Sequence, residues 1–226
     1  MKHSSSQLFI HIYKHERKHV TDVILSCLLF AFTLPGILFS QNAYKIYHTS
    51  TQKLIDLDEL VEAVGDSDIL FFGEEHNDAV GHQLQDTLYA LLLKEYNQVT
   101  LSLEMFEVDC QLILDEYLDG FIGKDKMLKD ARAWKNYDEA YSPLVERAKA
   151  AQQEVIAANA PRRYVSMVSK DGLEALNKLP KPSRSYLPPL PIYTSDSSYF
   201  ARFQDAMGGA GHGLRDNFYC AESMWD

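Results

Sequence analysis

A cluster of ionisable side chains that includes Glu74, His76 and His82 stands between a short apolar run and a helical pattern. The apolar run is Ile69–Phe72, within the predicted strand Asp68–Phe72, and Gly73 ends it. A short continuous apolar segment that stops at a turn residue is typical of a strand buried on both faces. Carboxylates and imidazoles at the carboxyl end of such a strand lie where open α/β sheets bind ligands. Such groups can also hold a divalent metal ion that activates water.

The spacing within this cluster is a weak metal motif, because the HExxH sequence of many zinc sites is absent. Each residue also has an ordinary structural explanation. Glu74 can be a carboxylate stabilised by a helix N-terminus, His76 a hydrogen-bonded turn histidine, and His82 a residue on the solvated face of the helix. Charges at the end of a buried strand are costly unless they are paired or used, which favours a functional role.

Two further apolar segments end in polar residues. They are Val99–Leu103, which Glu104 follows, and Glu154–Ala158, which Asn159 and Arg162 follow. Because helical patterns separate the three segments, we predict the α/β class, with a mostly parallel β-sheet flanked by helices. The three strand ends are then expected to share one edge of the sheet. The predicted helices are Leu57–Val64 with Asp56 or Asp58 as its cap, a helix to about Tyr96, Phe106–Tyr117, Asp125–Trp134 and Ser142–Gln153.

Aromatic residues are frequent around the third predicted strand. For any one of them the ordinary role is core packing with a wetted hydroxyl group. Together they suit a flat apolar ligand, and a tyrosine phenolate can ligate ferric haem iron. The residues are Trp134, Tyr137, Tyr141 and Tyr164.

The charge of the chain argues against a nucleic-acid partner. The 226 residues carry a formal net charge of −10, which becomes −12 without residues 1–40 and their four basic and two acidic side chains. Nucleic-acid binding needs a concentrated basic stripe, whereas the nearest feature here is the pair Arg162–Arg163. Arg162 can instead hold a carboxylate or phosphate in a bidentate fork, or pair with Glu104 as part of the fold.

The first 40 residues have the pattern of an export signal. A basic region that includes Arg17 and Lys18 precedes Val23–Ser40, a stretch of 18 residues without a charge. We expect cleavage just after Ser40; the alternative is an uncleaved N-terminal anchor, because this length just spans a bilayer. Cys27 lies near the beginning of the apolar core, which is the wrong place for lipid attachment.

The two cysteines outside this signal, Cys110 and Cys220, lie far apart in helical patterns. An exported chain could pair them, but neither has the spacing of a metal site. We therefore predict two buried free thiols.

The C-terminal third is less regular than the rest. Prolines between residues 180 and 191 indicate an irregular connection, and Met207–Gly213 is a glycine-rich loop that contains His212. A helical pattern over Leu214–Asp226 then reaches the last residue without a stop signal. We expect the C-terminal part of the fold to be truncated.

A series of short motifs runs through the chain: G-E-x-H at Gly73–His76, the pair His82-Gln83, L-E-M-F at 103–106, A-x-A-W at 131–134, A-N-A-P-R at 158–162, Asn217-Phe218-Tyr219 and Trp225-Asp226. Together they resemble the ChaN-like haem-binding uptake family, within the wider group of erythromycin esterases and TraB/Tiki proteins. The resemblance runs from Ala43 to the end and rests on the order and spacing of the motifs. It makes residues 41–226 one haem-binding domain.

The resemblance implies an exported, periplasmic or outer-membrane-associated protein that binds haem for iron acquisition, with outer-membrane uptake machinery as a possible partner. Relatives stack two haems face to face across a homodimer, with a tyrosine as the iron ligand and a histidine near the propionates. Tyr141 and Tyr164 are the candidate ligands here, and His76 and His212 the candidate supporting residues. The full set of expected site residues is Glu74, His76, His82, Glu104, Tyr141, Arg162, Tyr164 and His212.

The wider group implies a second hypothesis, a metal-dependent hydrolase of the Tiki or erythromycin-esterase kind. Glu74 or Glu75 would then act as the general base and His76 as a metal ligand or base. Both hypotheses have the same fold, so the fold does not distinguish them. We favour the haem-binding protein without enzymatic activity.

Overall fold

The computed structural model of the chain describes residues 10–12, 44–65, 67–192, 194, 197–206, 217, 219–221 and 223–224. The predicted export segment Val23–Ser40, the loop Met207–Gly213 with His212, and most of the predicted last helix lie outside these residues. The chain divides into two units, residues 1–97 and residues 98–226.

The first unit combines a small antiparallel sheet with two helices. The sheet has the strand order β1 (Ile10–Ile12), β2 (Ile46–His48) and β3 (Lys53–Ile55), and helices α1 (Leu57–Val64) and α2 (Ala79–Glu95) follow. Removal of apolar side chains from water stabilises this arrangement. Its buried apolar residues include Ile46, Leu60, Leu84, Leu88 and Leu92.

Local sequence decides where both helices begin. The Asp56 side chain accepts a hydrogen bond of 2.8 Å from the backbone of Glu59, and the Glu59 side chain accepts one of 2.9 Å from the backbone of Asp56. This capping box starts α1. Asp78 caps α2 in the same sense, because its side chain accepts a bond of 3.1 Å from the backbone of Val80. The predicted helix Leu57–Val64 and its cap are confirmed.

The predicted buried strand over Asp68–Phe72 is wrong. This segment forms neither strand nor helix, and Ile69 and Phe71 are 69% and 83% exposed. A strand needs a neighbour that satisfies its backbone N–H and C=O groups. Among the described strands, none pairs with this segment. The polar turn Gly73–His76 therefore follows an irregular, solvent-exposed segment.

The second unit is built on one parallel strand pair, β4 (Leu101–Glu107) and β5 (Val155–Asn159). The predicted α/β class is confirmed, with two parallel strands in the described part because the first predicted strand does not form. Short helical segments connect and follow the two strands: a 3-10 turn Val108–Cys110, α3 (Gln111–Leu118), α4 (Lys124–Asp130), α5 (Tyr137–Ala140), α6 (Ser142–Ala150), α7 (Arg162–Asp171), a 3-10 turn Leu173–Lys178, α8 (Lys181–Arg184) and α9 (Ser197–Ala206).

Strand β4 continues to Glu107 instead of ending at Leu103 as predicted. Met105, Phe106 and Glu107 are buried in succession, although regular strand alternation would expose one of them. A register irregularity between Leu103 and Glu107 accounts for this. As a result the helix predicted to start at Phe106 starts at Gln111.

The core of the second unit lies between these helices and one face of the strand pair. Phe106 is fully buried, and its ring centroid lies 6.0 Å from that of Tyr137. Leu114, Met127 and Val145 are also fully buried. Of the helices described in either unit, none is both long and apolar enough to cross a bilayer.

Cys110 and Cys220 form no disulfide bond with each other, as predicted. Cys110 is fully buried, whereas Cys220 is only partly buried. Burial raises the pKa of the Cys110 thiol from 9.0 to about 11.

We expect the protein to lose stability above pH 9 in part through Cys110. Below pH 9 the thiol is neutral in both the folded and the unfolded state. Between pH 9 and about 11 it ionises readily only when unfolded, so unfolding becomes more favourable. Urea unfolding of Cys110→Ala and of the parent at pH 8 and pH 10.5 measures this: the loss on raising the pH is expected to be smaller for the variant. Equal losses would contradict it.

Candidate functional site

The turn that contains Glu74 and His76 is tied to helix α2 by a hydrogen-bond network. Gln85 donates to Glu74 Oε2 at 2.7 Å, and His76 Nδ1 lies 3.0 Å from Glu74 Oε1. His82 Nε2 donates to the carbonyl oxygen of His76 at 3.0 Å, while its Nδ1 lies 3.0 Å from Gln85 Oε1 and 3.6 Å from Glu74 Oε2. The first unit thus brings Glu74, His76 and His82 together.

These contacts change the interpretation of His82. It was predicted on the solvated face of α2, but it is 6% exposed, so that prediction is wrong. The buried His82 ring is stabilised because both of its nitrogens have polar neighbours. The His76 side chain remains 53% exposed. Within the described residues, no three His, Cys, Asp or Glu side chains are placed to hold a metal ion.

A second charged network lies in the second unit, where β4 and β5 end. Glu107, the last residue of β4, accepts hydrogen bonds from Arg162 Nε and, at 2.7 Å, from Arg132 Nη2. The backbone N–H of Arg162 donates to the same carboxylate at 3.1 Å. Asp109 accepts from Arg132 Nη2 at 2.6 Å and from Arg163 Nη1. The carboxylate side chains are 7% and 11% exposed, so the arginines compensate nearly buried charges.

Glu104 does not take the place predicted for it. It was expected at the end of a strand and, in one of two alternatives for Arg162, as the partner of that arginine, but it lies inside β4 on the exposed face. Arg162 pairs with Glu107 instead, because β4 is longer than predicted. In the sequence, Glu107 was marked only by its position: it directly follows the L-E-M-F motif, and a second acidic residue, Asp109, lies two positions later.

A cavity of about 550 Å³ adjoins the carboxyl ends of the two strands. Val108 contributes from the end of β4, and Ala158 and Ala160 from the end of β5. The proline-rich segment, residues 185–192, and Met224 supply apolar side chains to the remaining wall. Its volume falls in the range of roughly 300–1,000 Å³ typical of small-molecule sites.

The two predicted tyrosine ligands are both buried. Tyr141 is 3% exposed and packs edge-on against Trp134, with ring centroids 5.9 Å apart. Tyr164 is 5% exposed within the apolar cluster of Val168, and its hydroxyl group accepts a bond of 3.3 Å from Arg163 Nη2. Neither lines the cavity.

Among the tyrosines that the structure describes, Tyr186 lines the cavity, and it was not predicted from the sequence. It is 41% exposed, and the guanidinium group of Arg163 lies 5.6 Å from its ring centroid. Its only sequence signal was an aromatic residue within a proline-rich stretch. Burial raises the pKa of Tyr117 and of Tyr137, and hydrogen bonding to Glu146 raises that of Tyr117 further. Those two phenols keep their protons at neutral pH.

Comparisons with known proteins complete the description of the site. A family model described as haem-binding uptake, Tiki superfamily, ChaN matches residues 60–226. Among solved structures, ChaN of Campylobacter jejuni, described as binding haem cofacially, is 18% identical, with 80% of this chain and 71% of that chain covered and a TM-score of 0.60. At this identity the likeness concerns the fold alone. A search of curated proteins found no match.

Proposed function

We propose that the chain, which belongs to the family described as haem-binding uptake, Tiki superfamily, ChaN, binds haem in the cavity beside β4 and β5. The observation that carries the proposal is the cavity itself. Its volume of about 550 Å³ and its apolar wall of alanine, proline and methionine side chains suit a flat apolar ring. The guanidinium group of Arg163, 5.6 Å from the ring centroid of the lining residue Tyr186, suits a carboxylate of that ring.

Different residues of this chain would contact the ring and the iron of haem. The alanines at the end of β5 leave room for the ring because their side chains are small. Ferric haem supplies an iron centre that a phenolate can ligate, and Tyr186 presents its ring to the cavity. Tyr141 and Tyr164 remain predicted ligands, although a side-chain rearrangement would have to bring either one to the cavity.

A haem titration of tyrosine variants tests the ligand. We expect Tyr186→Phe to shift the Soret band and weaken haem binding roughly 10-fold or more, the order of one lost polar contact of 1–3 kcal/mol. Tyr141→Phe and Tyr164→Phe are measured beside it. A change confined to either of these would transfer the ligand role to that residue.

Tyr137→Phe is the matched control for this titration. Its hydroxyl group is buried and has no hydrogen-bond partner in the described part of the chain, so its removal is expected to leave haem binding and stability nearly unchanged.

The hydrolase hypothesis would be supported by a different result. In that case neither the parent nor any variant takes up haem, and the parent binds a divalent metal ion that His76→Ala loses.

Export and assembly form a further part of the proposal. The uncharged stretch Val23–Ser40 after a basic region supports export to the periplasm or outer membrane, where the protein would serve haem and iron acquisition with uptake machinery. A homodimer that forms on haem binding fits the same role. Cell fractionation with N-terminal sequencing tests export, and sedimentation with and without haem tests the dimer; a cytoplasmic protein or a haem-bound monomer would contradict these two points.

A further inference from the structure

Positive charge is in excess where β4 and β5 end, in a chain whose net charge is −10. Arg132, Arg162 and Arg163 face two carboxylates there, Glu107 and Asp109. Arginine stays protonated at all ordinary pH values. With both carboxylates ionised, the five side chains therefore carry a formal net charge of +1. A local excess of that sign in an acidic protein favours an anionic ligand.

The three arginines differ in how many of their guanidinium nitrogens already donate a hydrogen bond within the protein. Arg132 bridges Glu107 and Asp109, and Arg163 bonds Asp109 and the hydroxyl group of Tyr164. Arg162 uses only its Nε and its backbone N–H, both on Glu107. Its two terminal nitrogens have no partner among the residues that the structure describes, and its side chain is 57% exposed. These two nitrogens form the fork that binds a carboxylate bidentately.

Glu107 determines the orientation of that fork. Its side chain is 7% exposed, and it is held from the other side by Arg132 at 2.7 Å. One of its oxygens accepts a hydrogen bond from Arg162 Nε. The other accepts one from the backbone N–H of Arg162, the first residue of α7. Because both ends of Arg162 are bound to the same buried group, the side chain loses little further freedom when it binds an anion.

Residues next to Glu107 and close to Arg162 in the chain line the cavity. Val108, which directly follows Glu107, lines the cavity, and so does Ala160, two residues before Arg162. An anionic substituent of a ligand in the cavity therefore has this guanidinium group within the same strand-end region.

We propose that Arg162 binds a carboxylate of the cavity ligand and that Glu107 is the positioning residue that holds Arg162 for this contact. The inference rests on the proposed function, in which the ligand is haem and the carboxylate is a propionate. It assigns Glu107 a role in ligand selection that goes beyond the stability of the strand ends.

The test compares haemin with haemin dimethyl ester, which lacks both carboxylates, on the full-length protein. The parent is expected to bind haemin roughly 10- to 100-fold more tightly than the ester, the range that hydrogen bonds to charged groups supply. Arg162→Gln is expected to lose most of this preference while its affinity for the ester changes less than about 2-fold. Glu107→Gln is expected to lose part of it, and Arg162→Lys, which cannot form the fork, serves if Glu107→Gln does not fold.

Arg147→Gln is the matched control, because it removes the same charge from α6, which precedes β5, and not from the region where β4 and β5 end. It is expected to keep the parental preference for haemin. Equal binding of haemin and ester by the parent would overturn the carboxylate subsite while leaving haem binding intact. Equal weakening of both ligands by Arg162→Gln would make the residue merely structural. Binding of neither ligand by the parent would refute the proposed function, and this inference with it.

Discussion

Ala158→Trp is expected to weaken haem binding roughly 10- to 100-fold, since forcing extra volume into a filled site costs about 1–3 kcal/mol. Ala158 lines the cavity at the end of β5, and its side chain lies on the exposed face of the strand. The indole ring would therefore occupy space that the ligand needs, without disturbing the buried side of the sheet. Titration of the variant with haemin, followed at the Soret band, measures the loss.

Ile156→Trp provides the control for this steric effect. Ile156 lies two residues earlier on the same face of β5, is 44% exposed, and does not line the cavity. Its affinity for haemin is expected to stay within about 2-fold of the parent, because an exposed substitution away from the site costs little. If both variants bind haemin like the parent, the haem site lies elsewhere in the protein.

Phe106→Ala is expected to lower the free energy of unfolding by about 3–5 kcal/mol, the usual cost of truncating a buried Phe. Phe106 is 0% exposed at the end of β4, and its ring packs on Tyr137 with centroids 6.0 Å apart. The substitution opens a cavity between the strand pair and α5. Urea unfolding followed by circular dichroism measures the change in midpoint.

Phe121→Ala is the matched control for this core substitution. It removes the same side chain from a position that is 78% exposed, so the free energy of unfolding is expected to change by less than about 0.5 kcal/mol. A similar loss in both variants would contradict the placement of Phe106 in the core.

The starts of helices α1 and α6 were predicted correctly from the sequence. Asp56 caps Leu57–Val64, and Ser142-Pro143 begins α6. The third predicted strand, Glu154–Ala158, appears one residue later as Val155–Asn159. A cap or a first-turn proline acts on backbone groups within three or four residues, so the neighbouring sequence contains the whole interaction. The motif-based resemblance to the ChaN-like family is confirmed by the match over residues 60–226.

Strand prediction was less successful because strands depend on partners that are distant in the chain. The apolar run Asp68–Phe72 looked like a buried strand, yet Phe71 is 83% exposed. Val99–Leu103 was placed correctly as a strand but ended too early, because the register irregularity before Glu107 keeps consecutive residues buried. Neither outcome follows from hydrophobic pattern alone.

The sequence by itself determined the α/β class, the starts of α1 and α6, the family and the presence of arginine and tyrosine near the strand ends. Only the tertiary structure decided that Arg162 bonds Glu107, a residue 55 positions away, and that Tyr186 rather than Tyr141 or Tyr164 lines the cavity. The physical reason is the range of the interactions. Capping and periodicity are local, whereas ion pairing, burial and cavity walls arise only when distant segments meet.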